Sequence, residues 1–246
     1  MINKVVHLVY SFGCGGLEKV IANLINHSSQ YNVEHLVISL TDDITMEQQV
    51  KYPIELIVLD KKQGNDISSH KKLYSLLKKI KPTVLNTYNF GTIEYHLTAK
   101  FAGVPVQVHS DHGRGGDHPQ GKNVLHNMFR KFISLFISEY IVVSYDLYEW
   151  ITKELNIKKP HVSLIFNGVT MPNVSSRLNE KPKVFVTIGR LDPVKNQRLL
   201  IDAFAKAVNE DDEFCRCQLK IIGAGPLFAE LKDRINDLSM TQSIAL

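Results

Sequence analysis

The chain has 246 residues, 44% of them hydrophobic and 22% charged, with a formal charge of +4. That length suits one large or two modest domains of ordinary globular composition, not a disordered or fibrous chain. The charge is too mild for a dedicated nucleic-acid binder, and three cysteines (Cys14, Cys215, Cys217) give no disulfide framework, which points to a reducing cytosol.

The first residues pass straight into a strand at 4–10 with no signal-peptide pattern. A glycine-rich turn follows at 11–16, and Leu17, Val20, Ile21, Leu24 and Ile25 then mark an amphipathic helix. Strands are predicted at 33–40 and 54–60. The helix at 67–80 sets Leu73, Leu76, Leu77 and Ile80 against Lys71, Lys72, Lys78, Lys79 and Lys81. Such a basic helix fits either a peripheral contact with anionic lipid or a plain solvated face. A strand at 84–88 ends in Asn89-Phe90-Gly91, and a helix at 92–102 leads to a strand at 104–108. Then comes a loop from His109 to His118 with a helix at 122–138, a strand at 140–144 and a helix at 146–155. Tyr148 and Trp150 on that helix read as packing residues. A strand at 162–166 closes on Asn167-Gly168-Val169, and a polar, irregular stretch at 171–183 reads as a linker. Beyond it lie a strand at 184–188, a helix from Gln197, a strand at 219–222, a Gly223-x-Gly225-Pro226 turn and a last helix marked by Leu227, Leu231, Ile235 and Leu238. No apolar run reaches the roughly 18 residues that span a bilayer. The longest, 129–143, is broken by Arg130, Lys131 and Glu139.

Alternating strands and helices predict an α/β chain with parallel sheets. Ligands of such sheets bind beyond the carboxyl ends of the strands. At 184–208 that edge carries Arg190, Lys195 and a helix start with Asn196 as its expected N-cap, a set suited to a diphosphate. At the first turn, a G-x-G-x-x-G dinucleotide fingerprint would put its third glycine at Glu18, which argues against an NAD site. In the loop from His109, three histidines and two aspartates suggest a metal, but the glycines fix no ligand and no second cluster completes a shell. Cys215-x-Cys217 likewise lacks a second pair, so no metal is expected.

The wording Gly189-Arg190-Leu191-x-x-x-Lys195-Asn196 resembles the donor motif of the GT-B glycosyltransferases, specifically the retaining family 4. Gly15-Gly16-x-Glu18 resembles that family's G-G-x-E loop, and His109-x-x-His112-Gly113-Arg114 a histidine loop found in some of its members. Ile222-Gly223-x-Gly225-Pro226 is similar to a further family feature, and Asn167-Gly168-Val169 to its N-G-V-D turn, with Thr170 in place of the aspartate. The resemblance implies two Rossmann-like domains facing each other across a cleft: 1–170 on the acceptor side, 171–183 as linker, and 184–246 as an incomplete donor-nucleotide domain. Gly15, Gly16, Arg190, Lys195, Gly223 and Gly225 would bind the donor. His112, or His109 as second choice, would lie at the reaction centre. Asn89 and Arg114 fall on the acceptor side, where Arg114 could hold an anionic acceptor or pair with Asp111 or Asp117.

The implied function is retaining transfer of a sugar from a nucleotide-diphospho-sugar to a glycan or lipid-linked acceptor, in surface polysaccharide synthesis. It would work in the cytoplasm or at the inner membrane face, without a metal, because fixed cations replace it. Relatives run on well beyond Leu246 and carry an acidic E-x-(F/G)-G-x-x-x-x-E motif that is not found here, so the isolated chain is expected to turn over weakly or not at all. Three rivals stand beside this reading: a Rossmann NAD(P)-dependent oxidoreductase using Gly13 to Gly16 with Asp42 on the ribose, a non-hydrolysing nucleotide-sugar epimerase, and a non-catalytic fragment.

Overall fold

The structure, a computed structural model, describes residues 3–115, 121–158, 160–169, 171 and 184–246. The chain divides into two compact units, Met1–Met171 and Pro172–Leu246. All but Met171 of the expected linker lies outside the described residues, as do Asp117 and Thr170.

The first unit is built on a seven-stranded parallel sheet, in the order β3-β2-β1-β4-β5-β6-β7. The strands are β1 (Asn3–Val9), β2 (Val33–Ser39), β3 (Glu55–Val58), β4 (Val84–Tyr88), β5 (Val106–Asp111), β6 (Glu139–Val142) and β7 (His161–Leu164). Side chains alternate across the sheet, so β1 sends Val6 and Leu8 one way and Val9 the other. Val6 and Leu8 pack beneath α2 (Ile67–Ile80) and α3 (Tyr95–Ala102) through Leu73, Leu77, Tyr95 and Ala99. Val9 packs with Val37 and Tyr88 under Ile21 and Ile25 of α1 (Gly16–His27). Farther along, α4 (Val124–Ser134) and α5 (Tyr145–Glu149) close a cluster of Ile133, Tyr140, Val142, Leu147 and Trp150. Strand order reverses between β1 and β4, and at that switch point the carboxyl ends of the strands open a crevice.

Strands β3, β6 and β7 end at Val58, Val142 and Leu164, short of the expected 60, 144 and 166, and four other boundaries differ as follows. Strand β5 was expected at 104–108 and runs from Val106 to Asp111. Pro105 has no N–H to give, and the Val104 amide turns back to Ala99 O at 3.0 Å to end α3. At the far end, His109 and Asp111 find buried partners that hold them in the strand. The helix expected from Thr92 begins as a 3₁₀ turn at Phe90–Thr92 and becomes α3 only at Tyr95. The helix expected at 122–138 is shorter, because Asn123 caps it by accepting from the His126 amide at 3.1 Å. Helix α5 goes over into a π turn at Trp150–Glu154.

The second unit carries β8 (Val184–Ile188), α6 (Gln197–Glu210), β9 (Gln218–Ile222), α7 (Phe228–Asp237) and β10 (Ile244–Ala245), its parallel sheet ordered β10-β9-β8. Only two strands were expected here. The two residues of β10 are too few for a periodicity to announce, and they pair with Leu219 and Lys220. One sheet face packs Phe185, Leu219, Ile221 and Ile244 beneath Ile201, Phe204, Leu231 and Ile235. Val184, Val186, Ile188 and Ile222 on the strands stay exposed.

Burial sets the acid response of the first unit. His7 is pushed down to about 3 by burial and by neighbouring His35, and His96 to about 3 by burial and by His109. Between about pH 3 and 6.5 the unfolded chain therefore binds protons that the folded chain refuses. The stability is complete above about pH 6.5 and falls as the pH drops below it, by about 1.4 kcal/mol per pH unit for each histidine. Urea melts from pH 7 to 4 are expected to show that slope, and His96→Gln to flatten it.

Candidate functional site

The loop after β5 is held from below by a buried polar network. Thr87 Oγ1 lies 2.7 Å from His96 Nε2 and 2.6 Å from His109 Nδ1, and His96 Nδ1 lies 2.8 Å from Gln107 Oε1. His109 Nε2 is 3.4 Å from Asp111 Oδ1, while Asp111 Oδ2 accepts from both Arg130 and Tyr140. Burial pushes the Asp111 carboxyl up, but Arg130, His109 and Tyr140 outweigh it and hold it at about 2. The Arg130 guanidinium is stacked within 5.2 Å of Phe90 and 5.1 Å of Trp150. His109 is 0% exposed inside this network, with burial lowering its proton affinity. The second-choice histidine is therefore a core residue out of reach of any substrate.

His112 is placed differently. Its backbone amide donates to Asn89 Oδ1 at 2.7 Å, and Asn89 holds φ 57° and ψ 174°, outside the usual regions for a residue with a side chain. Asn89 is thus a brace for the histidine loop. The His112 ring is half-buried, with burial lowering its proton affinity, so it is neutral near pH 7. Asn167 Nδ2 lies 3.5 Å from His112 Nδ1, at the outer limit of a hydrogen bond. Asn167 was expected only as part of a turn, and its pairing with His112 spans 55 residues of sequence.

Two cavities meet at the His112 imidazole. One, about 510 Å³, has apolar walls from Val20, Leu24, Ile141, Val143, Ile165 and Phe166 over a polar floor of Asn86, Tyr88 and Ser110. The other is wide and polar, lined by Arg114, Lys122, Ser144 and Asp146. Arg114 Nη2 donates to Asp146 Oδ1 at 2.6 Å and lies 5.5 Å over the Trp150 ring. Its described carboxylate partner is thus Asp146. Asp111 is taken by Arg130, and Asp117 lies outside the described residues.

The glycine turn before α1 carries two carboxylates beside it. Helix α1 starts at Gly16 with no side-chain cap, but the Glu18 carboxylate folds back over it. A Cβ on Gly15 would lie 2.1 Å from Glu18 Oε2, and one on Gly13 would lie 1.9 Å from Asp43 Oδ2. Burial raises the Glu18 proton affinity, with Asp43 adding to it against the bond from Glu18's own amide. The Glu18 carboxylate thus lies against Gly15 and that of Asp43 against Gly13, while a Cβ on Gly16 would meet nothing within 4 Å.

In the second unit the β8 loop is a rigid cationic platform. Gly189 N donates to Ile222 O at 3.0 Å, Leu191 N to Ala224 O at 2.9 Å and Leu227 N to Leu191 O at 3.2 Å, which ties the β8 and β9 loops together. A Cβ on Gly223 would lie 1.9 Å from Gly189 O, and one on Gly225 would lie 2.3 Å from Leu191 O. Both glycines permit this close backbone approach. Arg190 Nε donates to Asp192 Oδ2 at 2.5 Å, leaving its outer nitrogens in solvent with the side chain 76% exposed. That bond holds the Asp192 carboxyl below its ordinary range. Gln197, buried, donates to Arg190 O at 2.9 Å, a second brace that sequence reasoning missed. The stem of Lys195 leans toward Gly189. Asn196 is not the expected side-chain cap: it sits left-handed at φ 50°, ψ 43° with no cap bond, so α6 starts with its first amides uncapped by a side chain. Asn tolerates that conformation better than most residues, and it turns the chain from the 3₁₀ turn Pro193–Lys195 into α6.

Parallel sheets with cationic and polar loops at their carboxyl ends define two Rossmann-like units of the GT-B class. Solved structures agree on that fold. HepE of Anabaena in complex with UDP and glucose overlaps 98% of this chain and 68% of its own at TM-score 0.74 with 16% identity. Sucrose-phosphate synthase of Thermosynechococcus elongatus overlaps 99% and 70% at 0.75 with 14% identity. Residues 14–171 match Glycosyltransferase Family 4 and residues 173–245 match Glycosyl transferases group 1. The chain belongs to Glycosyltransferase Family 4. It is 30% identical over 184 residues to the Escherichia coli UDP-Gal:alpha-D-GlcNAc-diphosphoundecaprenol alpha-1,3-galactosyltransferase, a match covering 68% of this chain and 47% of that protein. It is 25% identical over 264 aligned positions to a Campylobacter jejuni diphospho-undecaprenol N-acetylgalactosaminyltransferase, covering 100% of this chain and 69% of that one. The chain thus spans about half the length of the first relative and about two thirds of the second.

Two glycines separate close packing from open space. Gly223→Ala must move backbone and is expected to cost several kcal/mol in urea unfolding of the second unit, about 2–4 by the range for severe local misfits. Gly16→Ala meets nothing within 4 Å and is expected to leave stability equal or about 0.5 kcal/mol higher.

Proposed function

We propose that this chain provides the donor and acceptor machinery of a retaining glycosyltransferase. It moves a sugar from a nucleotide-diphospho-sugar to a glycan or lipid-linked acceptor in surface polysaccharide synthesis. The observation that carries the reading is the β8–α6 loop: two exposed cations, Arg190 and Lys195, beside a helix start without a side-chain cap, on backbone locked by Gly223 and Gly225. As the glycosidic bond breaks, negative charge grows on the leaving diphosphate. Fixed cations and helix amides stabilise that charge without rearranging, the role a metal plays elsewhere. Asp192 and Gln197 act through Arg190 by holding its side chain and its backbone.

On the first unit, His112 offers a neutral imidazole to an acceptor hydroxyl or to the transferred sugar. The polar cavity with Arg114 and Lys122 takes the polar part of the acceptor, and Glu18 and Asp43 accept from sugar hydroxyls. The named substrates of the Escherichia coli and Campylobacter jejuni relatives are diphospho-undecaprenol glycans, which supports a lipid-linked acceptor and work at the cytoplasmic face of a membrane. No described helix is long and apolar enough to cross one.

Thermal shift with UDP, GDP and NAD tests the donor half. A nucleotide diphosphate at a hundred times its dissociation constant is expected to add about 2.7 kcal/mol, and NAD nothing. Arg190→Ala and Lys195→Ala are each expected to remove most of that gain, and His112→Ala to keep it. An undiminished shift in both cation variants would reject the assignment.

A further inference from the structure

Helix α4 is amphipathic in an unusual sense. Its inner face holds Arg130 and Ile133, yet its outer face is also apolar: Leu125, Met128, Phe132 and Leu135 are 76%, 65%, 51% and 70% exposed. Their spacing of three or four residues puts them on one stripe, with Phe129 beside it. A contiguous exposed stripe of this kind marks an interaction face. It is continued by Ile67 at the start of α2, 72% exposed, because Ile67 and His70 share a cleft with Leu125, His126 and Phe129.

The charge around the stripe favours one occupant. No aspartate or glutamate occurs from 118 to 138, while Lys122 and Lys131 flank α4 at its two ends. Exposed Lys71 and Lys78 line α2 with Tyr74 between them, while Lys72 donates to Leu59 O at 2.7 Å and Lys79 shares a cavity with Glu34 and Glu55. The two carboxylates at the cleft are engaged: Asp66 caps α2 through the Ser68 amide at 2.9 Å, and Glu94 lies 3.8 Å from His70. We propose that α4 lies in the plane of an anionic bilayer, its Leu125–Met128–Phe132–Leu135 stripe buried among the acyl chains and the lysines of α2 and α4 at the headgroups. Aromatic and aliphatic residues on one face with lysines around it are the chemistry of an interfacial helix. The lysine-rich α2, the sequence's own candidate for lipid, supplies charge, and α4 supplies the apolar contact. Arg130 ties α4 inward to Asp111, the neighbour of His112, so a docked α4 would hold the acceptor loop at a fixed depth from the bilayer.

The purpose of this face rests on the lipid-linked acceptor proposed above, but the two fail separately. Cosedimentation would use the full chain with vesicles of phosphatidylglycerol and phosphatidylethanolamine, or of phosphatidylcholine alone. Wild type is expected to pellet with the anionic vesicles, less with the neutral ones, and less in high salt. Met128→Glu/Phe132→Glu changes two exposed positions to a good helix former, so it should keep the wild-type circular dichroism and UDP shift while binding at least about tenfold more weakly. Wild type left in the supernatant, or equal pelleting of the variant, overturns the proposal. So does a wild-type dimer, seen by sedimentation velocity, that the variant splits, since the stripe would then belong to a second copy. Wild type that shows the UDP shift but does not pellet with anionic vesicles sinks this inference alone. Wild type that pellets with them but shows no UDP shift sinks only the donor assignment.

Discussion

The first unit depends on one ionic contact made out of water. Asp111 and Arg130 are both essentially without exposure, and each would be costly to bury alone. Together, with Tyr140 donating to the same carboxylate oxygen, His109 within 3.4 Å of the other and two aromatic rings by the guanidinium, they offset one another. Asp111 Oδ1 and Arg130 Nε are left without a hydrogen-bond partner among the described residues. The contact links β5 to α4, and the next residue after Asp111 is the half-buried His112. The loop that carries His112 is thus placed by a pair that is itself buried. The same pair decides which surface of α4 turns outward.

The second unit uses the opposite strategy. Its functional charges are exposed, and rigidity comes from backbone. Where Gly223 meets Gly189 and Gly225 meets Leu191, the absence of Cβ atoms lets two loops share hydrogen bonds at contact distance. Arg190 then needs only Asp192 to aim it. That carboxylate takes one side of the guanidinium and leaves the other for an anion, so the arginine is oriented without being neutralised by a buried partner.

The two platforms differ in charge. Carboxylates, the His112 imidazole and the cations Arg114 and Lys122 gather at the carboxyl edge of the first sheet, while Arg190 and Lys195 stand exposed at that of the second. At the glycine turn before α1, Glu18 lies against Gly15 and Asp43 against Gly13, while Gly16 is open. Family membership leaves neither the dinucleotide nor the epimerase alternative with support of its own.

Local pattern determined most of the architecture. Helix 67–80 and strands 84–88 and 184–188 stand as expected, because apolar spacing, Asp66 and a nearby proline act over a few residues. The cationic loop was legible for the same reason, being contiguous: Gly189 to Asn196 lies within eight positions. What sequence could not decide depends on partners far along the chain. His109 and His112 look alike in a glycine-flanked run, and only Thr87, Arg130 and Tyr140 consign one to the core while Asn89 and Asn167 hold the other at the cavities. Asn196 reads as a cap until the preceding turn forces it left-handed. Helix α4 has apolar residues on both sides, so periodicity cannot say which is inward. The buried salt bridge chose, because a charged arginine can leave water only where a carboxylate waits.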